Sequence, residues 1–379
     1  MLVAALMIHF TIVSVTLYLH RTATHRGLDM HPLASHVMRA WLWMSTGMLT
    51  KEWVAVHRKH HALCETAEDP HSPKFKGLAK VVLEGAELYR EEAKNPETLE
   101  KYGRGTPEDW IEKRVYTAHG RLGVAIMLVV DVALFGIPGI TIWALQMIAI
   151  PFLAAGVVNG IGHHSGYRNF ECKDAATNVV PWGILLGGEE LHNNHHAFPS
   201  SAKFALRPWE FDIGWWYIKG LKLLGLVKVR RVAPTPVIKQ EAQVGLDTVQ
   251  AVILNRLHVL RHYGRNVIVP AYKAEKRNAC AMRSKVLSGA RRLMIRERGL
   301  LKPAEERRLR VALARSKALD TVYGFRMKLE KIWENNAQSN DSLLHAFKEW
   351  CHEAEQSGIA SLQEFAAHLR SYTLARQAA

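Results

Sequence analysis

Histidine patterns carry most of the chemical signal in this sequence. His20-Arg-Thr-Ala-Thr-His25 sets two histidines five apart. His57-Arg-Lys-His60-His61 and His192-Asn-Asn-His195-His196 repeat one HxxHH spacing. Asn159-Gly-Ile-Gly-His163 adds an amide and an imidazole four apart. On a helix, positions i, i+3 and i+4 share a face, so each HxxHH aims three imidazoles the same way. Asn159 and His163 lie one turn apart on one face. A regular helix would splay His20 and His25 by about 140°, so these two are expected to straddle a helix end.

Together these motifs offer nine imidazoles and one amide. Neutral imidazole suits iron, copper, nickel and zinc. Nine ligands exceed the coordination number of one metal, so two ions are implied. Two adjacent redox metals suit O2 activation and attack on an unactivated C–H bond, with the protein supplying geometry and access. The chain has 20 histidines in all. Of the others, His9, His31, His36, His71, His119 and His164 are read as interfacial or hydrogen-bonded side chains.

Apolar runs must position these motifs. Residues 1–19 could just cross a hydrocarbon core of about 30 Å. They lack a basic leading segment and end at His20-Arg21, which reads as a span and not as a secretory signal. Two further runs, 122–136 and 140–158, flank the turn signal Gly136-Ile-Pro-Gly139 and read as a membrane hairpin. Asp131 is the one formal charge within it and is expected to face protein. Residues 34–49 hold His36 and Arg39 and read as an interfacial or re-entrant helix, because a full span there would separate the first two histidine motifs. Residues 62–121 read as a cytosolic loop. Trp209, Trp215, Trp216 and Tyr217 suggest a headgroup-level segment within 197–230.

The mean hydropathy of the 379 residues is near zero, which hides a difference between the two parts of the chain. In residues 231–379, 26 Lys and Arg against 14 Asp and Glu leave a net of +12, out of +15 for the whole chain. Such a charge suits an anionic partner, whether phospholipid surface, acidic protein, nucleic acid or phosphorylated carrier. The Arg-, Ala- and Leu-rich composition favours a solvated helical region over a nucleic-acid binder. Residues 231–246 read as a linker, and 247–379 as a basic helical extension. Cys64, Cys172, Cys280 and Cys351 form no CxxC pair, which argues against iron–sulfur, zinc-ribbon or disulfide frameworks.

Four blocks, HRTATHRGLDMHP (20–32), KEWVAVHRKHHALCETAEDPHSP (51–73), NGIGHHSGYRNF (159–170) and GGEELHNNHHAFPSSAKF (187–204), resemble the membrane-bound fatty acyl desaturases of the stearoyl-CoA Δ9 type, most closely their bacterial acyl-CoA desaturase relatives. The resemblance covers about residues 1–230. It implies an all-α integral membrane fold in which transmembrane helices are capped by a cytosolic histidine-rich di-iron domain, in a multi-pass cytoplasmic (inner) membrane protein. By position, its iron ligands fall on His20, His25, His57, His60, His61, His163, His192, His195 and His196. Asn159 would hold one iron through a water, and Trp53 would shape the substrate tunnel. The resemblance also implies O2 as co-substrate, an acyl-CoA substrate and a separate ferredoxin- or cytochrome-type electron donor with its reductase. Asp69, Asn178, Glu189, Glu190 and Asn193 lie in or near the matching blocks and are expected to orient imidazole N–H groups. The family has four spans in two hairpins, against about three here, with the chain starting inside the second. Where the animal enzymes carry an Arg-Asp pair that contacts coenzyme A, this chain has Ala55 and Val56.

Two other classes remain open on the sequence. One is a hydroxylase, alkane monooxygenase or acyl-lipid desaturase of the same histidine-rich type. The other is a non-catalytic membrane scaffold whose basic tail recruits an acidic partner. The Asn159-His163 element and HNNHH favour desaturation, and bound iron would exclude a scaffold.

Overall fold

The computed structural model describes residues 1–239, 244–334 and 339–374. The chain is mostly helical and divides into two compact units, Met1–Asn169 with Asp174–Ala233, and Phe170–Lys173 with Pro234–Ala379.

In the first unit, the N-terminal apolar run forms one helix, Leu2–Thr24. It extends beyond the run expected to span, because its last ten residues, Val15–Thr24, wind as a π-helix. The His25 N–H donates to the His20 carbonyl, five residues back, at 3.1 Å. The other two apolar runs form the antiparallel helices Leu122–Phe135 and Pro138–His163. Gly136, with φ +66°, makes the turn between them. A Cβ on Gly139 would sit 2.1 Å from the Asp131 carbonyl oxygen, so the close approach of the two helices requires glycine there. Leu122–Phe135 coincides with the run expected over 122–136, but its 14 residues make about 21 Å of helix, shorter than a hydrocarbon core of about 30 Å. Leu2–Thr24 and Pro138–His163 are long and apolar enough to cross a membrane.

Pro151 does not end the long helix. The segment Pro151–Val158 changes to π winding, in which the missing proline N–H is accommodated. Leu134, Ile137, Ile148 and Phe152 of this helix pair are exposed, an apolar surface larger than a water-facing helix pair needs. The segment expected to be interfacial forms Pro32–Thr46, started by His31, whose Nδ1 accepts the Leu33 N–H, and ended by Gly47 at φ +67°. A short antiparallel ribbon pairs Leu28–Met30 with Val227–Val229 and ties the end of this unit to the end of its first helix. Leu17, Leu19, Leu28, Leu42, Ile218 and Val227 form the core beneath it.

The second unit is helical around its own core, which includes Tyr263, Leu329, Phe347, Trp350 and Phe365. Lys317–Glu334, Asn340–Gln356 and Ala360–Arg370 each bury one apolar face in it. The stretch read as a linker contributes Val237–Ile238, which pairs antiparallel with Tyr372–Thr373. The linker's residues 240–243, and 335–338 and 375–379 of the basic region, lie outside the described residues.

Candidate metal centre

All nine motif histidines lie in the first unit, and the fold brings them together from four elements. The π-winding sets His20 and His25 one turn apart on one face, with ring centroids 4.9 Å apart. His25 is also the C-cap residue, so the pair does straddle a helix end. The helix Thr50–Leu63 presents His57, His60 and His61 together. On its other side Arg58 donates to the carbonyls of Ala23 (2.8 Å) and Thr24 (3.2 Å), satisfying the orphaned end of the first helix. His163 comes from the end of Pro138–His163, and His192, His195 and His196 from the buried six-residue helix His192–Ala197.

The imidazoles converge as two groups. In the first, His20, His25, His57, His61 and His195 place one ligand atom each within 4.8 Å of all the others. The Nε2 separations are 3.1 Å for His25–His57, 3.0 Å for His57–His61, 2.9 Å for His61–His195 and 3.0 Å for His20–His195. In the second, His60, His163 and His196 gather with Cys64. His163 Nε2 lies 3.2 Å from His60 Nε2 and 2.9 Å from His192 Nε2.

Carboxylates stand behind four of the rings. Nδ1–H groups donate from His20 to Glu189 (2.7 Å), His60 to Asp69 (2.9 Å), His163 to Glu65 (3.2 Å) and His196 to Asp174 (3.2 Å). Each such bond leaves the Nε2 lone pair pointing inward. Glu65 holds a left-handed backbone, φ +62°, to make its contact. Glu189 also accepts from Thr16 Oγ1 (2.6 Å), which in turn accepts from Arg21 Nε (3.2 Å). Arg21 is fully buried and forms a bidentate pair with Asp212, at 2.9 and 3.1 Å, over the Phe204 ring.

Burial, and then the neighbouring imidazoles, push His25, His57, His61, His192, His195 and His196 well below the ordinary imidazole value. These rings stay neutral and keep a lone pair. Burial alone would raise Asp69, Glu65 and Glu189. The facing His60, His163 and His20 outweigh it and hold all three carboxyls below their usual range. A neutral imidazole has one donor and one acceptor, so inward lone pairs at 3 Å from each other repel unless a cation lies among them. His196 Nε2 is buried with no partner. By donor type the set fits iron, and equally copper, nickel or zinc.

The remaining residues singled out from the sequence fall as follows. Trp53 stacks on His57 with ring centroids 4.8 Å apart. Asn159 lines a cavity with His20, His57 and His192. Asp69 and Glu189 contact imidazoles. Glu190 accepts instead from the backbone N–H groups of Leu186 and Gly188, and Asn193 from that of Asn169. Asn178 accepts from the Asn194 N–H and helps fix the short helix. Sequence reasoning passed over Glu65, Asp174 and Arg21, and read His71 as an interfacial or hydrogen-bonded side chain. His71 is buried and packs on His60 at 4.3 Å. The run Glu65-Thr-Ala-Glu-Asp-Pro-His71, with its acids just after a histidine box, was the available signal.

The cavity measures about 360 Å³ and runs from the histidines between the helices. Trp53, Val124, Met147, Ile150 and Val158 make most of its wall apolar.

Residues 1–220 match the family described as fatty acid desaturase. The chain is 28% identical to an sn-1 stearoyl-lipid 9-desaturase of Synechocystis sp., over 61% of this chain and 71% of that protein. It is 30% identical to an acyl-CoA 5-desaturase of Anemone leveillei, over 60% and 69%, and 30% identical to an sn-1 stearoyl-lipid 9-desaturase of Anabaena variabilis, over 56% and 76%. Residues 247–375 match a second family, described as transposase.

Proposed function

The chain belongs to the membrane-bound fatty acid desaturase family, and on that premise we propose that it introduces a cis double bond at the Δ9 position of a long-chain acyl-CoA. The observation that carries this reading is the convergence of two histidine groups at one end of an apolar cavity. Two irons would be held by His20, His25, His57, His60, His61, His163, His192, His195 and His196, with Asn159 reaching one of them through a water. Bound there, the pair supplies the O2-dependent oxidation that removes two hydrogens from neighbouring methylenes.

The chain's own residues do the rest. The cavity wall fixes which methylene faces the histidines. Trp53, stacked on His57, narrows the passage beside them. Glu189, Asp69, Glu65 and Asp174 hold imidazole tautomers with Nε2 inward. The buried histidines and apolar wall exclude water from the reacting carbons. Electrons come from a separate ferredoxin- or cytochrome-type donor and its reductase.

In this reading the protein is multi-pass in the cytoplasmic membrane, with the histidines and the C-terminal region on the cytosolic side. Residues 1–230 form the desaturase domain, 231–246 a linker and 247–379 a basic helical region. A second reading, in which the acyl chain is carried on a glycerolipid, is favoured by one observation. Ala55 and Val56, at the positions of the animal enzymes' coenzyme A contacts, are apolar and buried.

The test is expression in a host lacking its own desaturase, beside His195→Ala. A new monounsaturated fatty acid, seen by gas chromatography–mass spectrometry only with the intact histidines, is expected. His195→Ala should abolish it and lose roughly one iron per chain, since it removes an inward-facing donor. Full activity in that variant would sink the nine-histidine assignment. Supplying acyl-CoA or phospholipid to purified protein separates the two carriers.

A further inference from the structure

The cavity wall is not apolar throughout. Gln146, on the helix Pro138–His163, lines it. Thirteen residues separate Gln146 from Asn159 at the histidine end, about 20 Å along a helix. Its Nε2 donates to Asp131 Oδ2, at 2.9 Å, from the antiparallel helix Leu122–Phe135. Both side chains are buried, Asp131 at 0% and Gln146 at 2% exposure. Gln146 Oε1 and Asp131 Oδ1 have no hydrogen-bond partner. With Nε2 on Asp131, Oε1 is the amide atom left without a partner.

Another partnerless atom belongs to the cavity wall, which Gln146 lines and Asp131 does not. Ser45 Oγ, at the end of the helix Pro32–Thr46, is buried and lines the cavity too. Two residues on, a Cβ on Gly47 would touch the Val124 side chain, and Val124 accepts the Trp143 indole N–H one turn from Gln146. Ser45, Val124 and Gln146 all line this cavity.

Buried acceptors without donors are costly, and a chain that needed only an apolar sleeve would gain by replacing them. We propose that this end of the cavity is a polar subsite for one O–H donor, and that it sets which acyl chains the protein accepts. The donor is either a water or a hydroxyl on the terminal carbon of the substrate. A chain whose methyl end reaches Gln146 displaces the water and strands the acceptors. A shorter chain leaves it in place, and an ω-hydroxyl replaces it. The proposal rests on the reading of this cavity as the acyl site.

The test measures binding by the purified full chain, by displacement of a fluorescent fatty acid. The competitors are a ladder of even-numbered saturated fatty acids and their ω-hydroxy counterparts. The wild-type protein should lose about tenfold in affinity at one step of the ladder, the scale of stranding a buried polar group. The paired variant Asp131→Leu with Gln146→Met removes both partners at once and should move that step to longer chains. Recovery of affinity by the ω-hydroxyl at the step identifies the substrate terminus as the donor, and a step without recovery identifies water. Ser45→Ala, a smaller change, should weaken any ω-hydroxyl preference or blunt the step about threefold, and it carries the test if the paired variant does not fold. Identical chain-length profiles in wild type and variants would overturn the subsite. Failure of every fatty acid to bind would instead remove the acyl-site reading on which it rests.

Discussion

Asp212→Asn tests how the centre is held. Arg21 follows His20 directly, and its guanidinium is enclosed by Asp212, the carbonyls of Ala202 and Gly187, and Thr16. Asp212 also accepts the Phe204 N–H at 2.7 Å and the Trp215 N–H at 3.0 Å. Both side chains are wholly buried. Asparagine keeps the shape but removes the countercharge and turns an N–H₂ toward the guanidinium. Breaking a buried pair from one side costs about 3–5 kcal/mol. For a unit of this size that is a fall of roughly 6–20 °C in melting temperature. Thermal unfolding in detergent, followed by circular dichroism, reads it. The double variant Arg21→Met with Asp212→Leu removes both charges and should recover most of the loss. A shift under about 2 °C in Asp212→Asn, or no recovery in the double variant, would refute the claim that this pair braces the first histidine motif.

Glu189→Gln leaves His20 with a weaker acceptor and should lower metal affinity about 10- to 100-fold, read by chelator competition; unchanged affinity would remove its orienting role. In the second unit, burial and then His368, Arg261 and Arg265 push His262 down to about 4. Between that value and about 6.5 the unfolded chain takes a proton that the folded unit refuses, so stability falls as pH drops through this window. The ring is partly exposed, so the effect is only about 1–2 kcal/mol. His262→Phe should flatten the acid limb of hydrogen-exchange protection for this unit, and an unchanged limb would point to other groups. Cys280 is exposed, whereas burial pushes the Cys351 thiol up to about 11. Iodoacetamide at mildly alkaline pH should label Cys280 at least about tenfold faster, by mass spectrometry; equal rates would mean that the Cys351 core opens readily.

The HxxHH motifs were legible because helical periodicity alone puts their three imidazoles on one face. The spacing of His20 and His25 was harder to read. Their convergence depends on i→i+5 winding over Val15–Thr24, which no propensity in VTLYLHRTAT announces. The run 140–158 appeared to end at Val158, but the helix absorbs its proline by π winding and carries on to His163. The carboxylates divided by distance along the chain. Asp69 is nine residues from His60, within reach of a local pattern, whereas Asp174 meets His196 across a loop. Arg21 was hidden inside the HxxxxH motif, and its partner lies 191 residues away. The basic tail gave its helices but no chemistry. Composition weighed against nucleic acid as its partner, and residues 247–375 match a family described as transposase.

The two kinds of feature differ in what they demand of the fold. The inward-facing imidazoles of the two HxxHH motifs need only periodicity, which a short sequence supplies. Holding them neutral, convergent and 3 Å apart against mutual repulsion requires a rigid outer ring. Here that ring consists of long-range polar contacts. Asn194 illustrates it, taking Asn178 Oδ1 on its backbone N–H and giving its side-chain N–H groups to the Phe204 carbonyl and Glu210. It lies between the histidines of the last box, yet every one of these bonds leads away from the histidine cluster. A residue inside a ligand motif can therefore be wholly structural, and a carboxylate far from any motif can set the tautomer of a ligand. The inner set of this centre is a property of local spacing, and the outer set is a property of the tertiary fold.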